Sequence, residues 1–256
     1  MAFIAVDIGN TSIKLGCYAE LSSAGDVAPL QILKISTRDP ESWQALEQLP
    51  AERADWCVGS VHRGAQGQLA KWVAHHRPAD TYRRLQYTDL PLVMDVEFPE
   101  RVGLDRLLAA VAVDHLRDSQ RPAIAIDAGT AITLDLVSAS GVFQGGVIWP
   151  GWQMMAESLA GKTDALPLLT APVFDAPPPI IGKSTEKAMH SALFWGNVGA
   201  VREFVARIQA ELPSPAQVFV TGGDAQRLAA IACPEAQRVS ELVLSGIVLA
   251  AQASPS

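Results

Sequence analysis

Phe3-Ile-Ala-Val-Asp-Ile-Gly-Asn-Thr-Ser-Ile-Lys14 opens the chain, and Ala123-Ile-Ala-Ile-Asp-Ala-Gly-Thr-Ala-Ile-Thr133 repeats its pattern at an offset of 120 that lays Asp7 over Asp127. Phe3 to Val6 reads as a buried strand, Gly9, Asn10 and Thr11 as a turn, and Ile13 to Tyr18 as a second strand. Ala123 to Ile126, the turn from Asp127 to Ala131 and Ile132 to Val137 give the same succession, with Pro122 punctuating its start. Each repeat continues into a third strand, Leu30 to Ser36 and Val142 to Ile148, and then into helical segments. The reading is a duplicated α/β chain, with domains 1–119 and 120–256 joined near Asp118 to Pro122.

Working outward, Leu104, Leu107, Leu108, Val111 and His115 fall at helical spacing, which predicts an amphipathic helix over Leu104 to Leu116. A second helix is predicted over Thr185 to Gln209, with small residues at Ala188, Ala192, Gly196 and Ala200. Such a row lets another helix approach closely, from this chain or from a second copy. Pro167 to Pro179 holds five prolines and reads as a loop placed to act as a lid. Gln217 to Val220 is a strand ending in Thr221-Gly-Gly-Asp224, with a helix from Ala225 to Ile231.

Composition narrows the function. The 20 Lys and Arg against 27 Asp and Glu leave a net charge of -7 with no basic cluster beyond Arg83 and Arg84, which disfavours a nucleic-acid or anionic-membrane surface. The apolar run Ala2 to Val6 is cut by Asp7, far short of the roughly 20 residues of a membrane span. A soluble cytoplasmic protein is expected. Cys17, Cys57 and Cys233 have no metal-ligand or disulfide spacing and read as free thiols, and none of the five histidines has a partner at ligand spacing.

Any phosphate must therefore be held by backbone N–H groups and a few local charges. No G-x-G-x-x-G follows a strand, and Gly182-Lys183-Ser184 matches only the end of a P-loop, since the first glycine of that motif would fall at Pro177. Two Asp-x-Gly turns between strands remain. Glycine permits the tight bend and close backbone approach that turn amides toward phosphate oxygens, and Asp7 could hold the water shell of a phosphate-bridging Mg2+. A single such turn is ordinary; the repeat makes it specific. The paired glycines at Gly222 and Gly223 suit a flat adenosine ring, although a plain strand-to-helix turn reads the same way.

The ordered series Asp7-Ile-Gly-Asn-Thr-Ser-Ile-Lys14, Gly103-Leu-Asp-Arg106, Asp127-Ala-Gly-Thr-Ala-Ile-Thr133, Gly145-Gly-Val-Ile-Trp-Pro-Gly151, Gly182-Lys-Ser-Thr185 and Thr221-Gly-Gly-Asp224 resembles that of the type III pantothenate kinases of the actin and sugar kinase superfamily. The resemblance implies duplicated ribonuclease H-like domains with a nucleotide cleft between them, a homodimer, and phosphorylation of pantothenate by ATP as the first step of coenzyme A synthesis. It implies that Asp7, Ile8, Gly9, Asn10, Thr11, Ser12, Ile13 and Lys14 form the first phosphate loop and that Thr130 contacts ATP, beside Gly222 and Gly223. Gly103, Leu104, Asp105, Arg106 and Thr185 match the pantothenate site, Asp105 matches the catalytic base, and Asp127 matches the ligand of a monovalent cation, K+ or NH4+. Where the family often carries a tyrosine before Gly-x-Asp-Arg, this sequence has Val96 and Phe98. A kinase for another small metabolite would share the turns but need other acceptor contacts than the Gly103 to Arg106 motif and Thr185, and the retention of Asp7, Asp105 and Thr130 argues against a nucleotide-binding regulatory protein without turnover. Asp105 also lies in the first turn of its helix, where the macrodipole favours an ionised carboxylate; a mere helix-start carboxylate beside a surface arginine is the plainer reading of that pair.

Overall fold

A computed structural model describes residues 1–21, 28–169 and 176–253. The chain forms two compact units, Met1–Leu116 together with the segment from Glu241, and Arg117–Ser240.

In the first unit β1 (Ala2–Ile8), β2 (Ser12–Tyr18) and β3 (Gln31–Ser36) form an antiparallel meander. β4 (Ala54–Ser60) pairs parallel to β1 on its other side, and after α1 (Arg63–His76) β5 (Thr81–Arg84) pairs parallel to β4. The sheet order is β3-β2-β1-β4-β5. A two-residue strand, β6 (Val93–Met94), and α2 (Leu104–Leu116) follow. Strand alternation sends Ile4, Val6, Ile8, Ile13, Leu15, Leu33, Ile35, Trp56 and Val58 into one core, where Ala65, Leu69 and Val73 of α1 meet them.

The second unit repeats the plan. β7 (Ala123–Ala128), β8 (Ala131–Val137) and β9 (Val142–Pro150) form the meander. After α3 (Trp152–Lys162) and α4 (Thr185–Glu211), β10 (Gln217–Thr221) returns parallel to β7. α5 (Ala225–Ala232) then leads to β11 (Gln237–Arg238), parallel to β10. The first strand of each sheet is central, with its meander on one side and two parallel strands on the other. These are duplicated ribonuclease H-like domains. The strands and helices expected around both turns are present, with ends displaced by a few residues. The proline-rich segment 167–179 has no regular structure at 167–169 and 176–179; the rest of the expected lid lies outside the described residues.

The expected boundary at 120–256 is displaced at its far end. The closing helix α6 (Leu242–Ala253) groups with the first unit. Eight of its residues are buried, among them Leu242, Leu244, Ile247 and Ala250, so it needs cover on most sides. It finds that cover on α2 and on the sheet face opposite α1. The contact requires glycine: a Cβ on Gly246 would collide with the Leu108 carbonyl oxygen, and one on Gly59 would stand 2.6 Å from Leu108 Cδ1. Among the described residues no helix is long and apolar enough to cross a membrane.

Replacing Gly246 with alanine forces α6 off the backbone of α2. Overpacking a tight core contact costs about 1–3 kcal/mol, and the loss is expected as a lower urea midpoint with an unchanged slope. An unchanged midpoint would contradict this packing.

Candidate functional site

Asp7 ends the buried run of β1, and its cross-strand neighbour is Lys14 on β2. Between them the chain turns through Gly9, Asn10, Thr11 and Ser12, closed by Gly9 N–H donating to Ser12 O at 3.0 Å. Two of the turn's carbonyls are engaged by Thr37, whose Oγ1 donates to Asn10 O at 2.9 Å and whose N–H donates to Thr11 O at 3.0 Å. Asn10 and Thr11 are exposed. Lys14 Nζ donates to Glu241 Oε2 at 3.1 Å.

Further along this unit, Gly103 precedes the first turn of α2, and its carbonyl accepts from Arg106 N–H at 3.1 Å and Leu107 N–H at 3.3 Å. Asp105 Oδ1 accepts from Arg106 N–H at 2.9 Å. The absence of a side chain on Gly103 makes room for that carboxylate, since a Cβ there would stand 2.6 Å from Asp105 Oδ1. Burial pushes the Asp105 carboxyl above its ordinary value, against the opposing Arg106 amide and guanidinium charge. A position in the first turn of a helix favours ionisation; here desolvation reverses that direction. Phe98, 44% exposed, lies under the Arg101 guanidinium at 4.4 Å from the ring centre.

In the second unit, Asp127 is next to last in β7, opposite Thr133 of β8 and Thr221 of β10. Gly129 N–H donates to Ala131 O at 3.1 Å, and Gly151 N–H donates to Thr130 O at 3.0 Å, fixing the Thr130 peptide. Thr130 itself is exposed. Gly222 has a positive φ of 99°, a conformation costly for any residue with a Cβ. A Cβ there would also stand 2.5 Å from both Ala128 O and Asp127 Oδ1. Asp224 N–H then donates to Ala128 O at 3.0 Å. Asp127, Thr130, Gly222 and Gly223 are thus gathered around one turn. Thr185 opens α4, where Ser184 Oγ accepts from Lys187 N–H at 3.3 Å. The apparent P-loop ending is therefore a helix cap, with Gly182 pressed against the backbone of Lys187 and Ala188.

The model of the family described as type III pantothenate kinase matches residues 3–207. The chain belongs to the type III pantothenate kinase family. It is 36% identical over 249 residues to a type III pantothenate kinase of Rhodopirellula baltica, covering 88% of this chain and 89% of that protein. With the type III pantothenate kinase of Nitratidesulfovibrio vulgaris it shares 30% identity over 260 residues, covering 96% and 95%. Among solved structures, a reductive activator for a corrinoid, iron–sulfur protein aligns with a TM-score of 0.50 at 12% identity, over 99% of this chain and 60% of that one. That likeness is one of fold alone.

For a type III pantothenate kinase, two residues of this arrangement carry more than the sequence reading gave them. Gly151 is locked against the peptides of Gly129 and Thr130, and the Pro150-Gly151 pair after an apolar strand was its signal. Glu241, the partner of Lys14, has no local motif at all. A cavity of about 510 Å3 in the second unit, lined by Arg121, Val205, Gln209, Val218 and Cys233 among others, touches none of the candidate residues. Cys17 and Cys57 are buried, and burial raises both thiols, Cys57 to about 12. No cluster of three metal-ligating side chains occurs among the described residues.

Proposed function

We propose that this pantothenate kinase transfers the γ-phosphoryl group of ATP to the hydroxyl of pantothenate, with Asp105 as general base, giving 4'-phosphopantothenate for coenzyme A synthesis. The observation that carries the reading is the position of Asp105: at the start of α2, desolvated, and anchored through one oxygen by the Arg106 amide. One carboxylate oxygen is thereby fixed while the carboxylate keeps further acceptor capacity for a hydroxyl proton. A raised pKa brings the base nearer neutrality, where proton acceptance is more effective. Gly103, Leu104, Arg106 and Thr185 bind pantothenate in this reading, Arg106 countering its carboxylate.

Phosphoryl transfer depends on positioning and on neutralising phosphate charge. Asp7 to Lys14 supply amides, hydroxyls and one ammonium for the phosphates, Thr130 adds a hydroxyl, and Gly222 and Gly223 leave bare backbone for the adenosine. Asp7 fits a Mg2+ that keeps most of its water, because such an ion needs one or two carboxylates and the nucleotide's own oxygens. That ion would neutralise charge on the phosphates. Asp127 fits a monovalent cation, since its carboxylate lies with the Ala128 carbonyl against bare Gly222 backbone.

The homodimer rests on α4. Its inner face buries Met189, Leu193, Phe194, Asn197, Val198 and Val201. Ala188, Ala192 and Gly196 are exposed and Ala200 half-buried, and a Cβ on Gly196 would meet nothing within 4 Å. Among the described residues, Ala188, Ala192 and Gly196 are thus left uncovered, which suits a second α4.

Four measurements test these readings. Asp105→Asn keeps the shape of the side chain and removes its basicity, so kcat is expected to fall about 100- to 10,000-fold with ATP affinity and thermal midpoint little changed. In the unaltered enzyme the acid limb of kcat/KM is expected above the ordinary carboxylate range, because the base must be ionised and burial raises its pKa. A near-normal kcat in the variant would remove Asp105 from the chemistry. Replacing sodium by potassium or ammonium is expected to raise the rate, and Asp127→Ala to blunt the response; equal rates in all three salts would exclude a cation role. Light scattering at micromolar concentration is expected to give twice the chain mass, falling to one chain mass in Ala192→Arg. An active monomer would reject the dimer.

A further inference from the structure

Lys14 and Asp7 are cross-strand partners and so point to the same face of the sheet. Two residues on along β2, the same face carries Gly16, where an added Cβ would stand 3.3 Å from Leu244 Cδ1 of α6. The end of the first phosphate loop is therefore roofed by the start of the last helix. There the Lys14 ammonium meets the Glu241 carboxylate at 3.1 Å, with only 26% and 22% of the two side chains exposed. Glu241 is itself held, since its carbonyl accepts from Ser245 N–H at 3.0 Å and from Ser245 Oγ at 3.1 Å. A carboxylate just before a helix is also favoured by the macrodipole.

A lysine on a flexible four-carbon stem samples many rotamers, and an ion pair with a carboxylate on a held backbone selects among them. An ammonium has three N–H donors, of which Glu241 engages one. We infer that Glu241 is a positioning residue for the reaction: it holds the Lys14 ammonium beside Asp7 so that the remaining donors meet the triphosphate of ATP. This rests on the reading of Asp7 to Lys14 as a phosphate loop. It gives the C-terminal helix a role in nucleotide binding, through a residue 227 positions from the lysine it serves.

The test is a double-mutant cycle in the full-length enzyme, with steady-state constants for both substrates and the thermal midpoint. Glu241→Gln is expected to raise the ATP KM about 10-fold while leaving the pantothenate KM within about twofold, and Glu241→Asp to recover part of the loss. Added to Lys14→Met, Glu241→Gln is expected to do nothing further, the signature of two residues acting as one. If Lys14→Met leaves the ATP KM unchanged, the phosphate-loop reading fails at Lys14 and this inference fails with it. If Lys14→Met raises that KM but Glu241→Gln does not, the loop stands and the positioning role is overturned. A lower melting point with both KM values moving together would make the pair a structural tether and overturn it too.

Discussion

A central strand buried on both faces can carry a charge only where it leaves the core, and the chemistry of this fold is arranged around that constraint. Ile4, Ala5 and Val6 of β1 are fully buried, as are Ile124 to Ile126 of β7 to within 2%, and placing a carboxylate among them would incur a heavy desolvation cost. Asp7 and Asp127, next to last in their strands, are the positions that solvent reaches. Both are half-buried, and both are followed by a glycine turn that keeps the backbone close to whatever they hold. The pairing of each central strand with a hairpin on one side and a parallel strand on the other then fixes which residues meet there.

This local logic explains what the sequence revealed. The strands, turns and carboxylates of both repeats lie within about fifteen residues, so alternation and glycine placement announce them. α2 was legible from large apolar residues at helical spacing and α4 from its row of small residues, although α2 is buried on every side from Leu107 to Val113. The other elements went unread for identifiable reasons. β4 has partners only at β1 and β5, distant in sequence, and no turn beside it. α1 buries just Ala65, Leu69 and Val73, a thin stripe in a polar helix. α6 has the opposite defect, burial almost all round, so no amphipathic pattern shows which unit covers it. Its place is decided by Gly246 against Leu108, a long-range fit of one missing Cβ.

The site divides along the same line. Residues named by motif, from Asp7 to Lys14, Gly103 to Arg106 and Gly222 with Gly223, occupy the ends of strands and helices, as their glycines implied. What the motif could not convey is electrostatic environment. Asp105 at a helix start suggested an easily ionised acid, yet its burial outweighs the helix end and raises its pKa. Burial depends on the packing of α2 as a whole, which no four-residue pattern encodes.

The two turns, alike in sequence, are not alike in build. In the first, Ile8 pairs with Ile13 and four residues form the loop; in the second, Ala128 pairs with Ile132 and three suffice. The residue opposite each aspartate differs as well, Lys14 against Asp7 and Thr133 against Asp127. The first turn has an ammonium, a longer run of amides and a carboxylate partner from the residue before α6. The second has the Asp127 carboxylate and the Ala128 carbonyl oxygen crowded beside Gly222. An ammonium with spare donors suits an anion, whereas carboxylate and carbonyl oxygens gathered at one point suit a cation. The duplication supplied one scaffold twice, and in the function proposed here loop length and the residue across each hairpin, Lys14 or Thr133, together set which charge each turn favours.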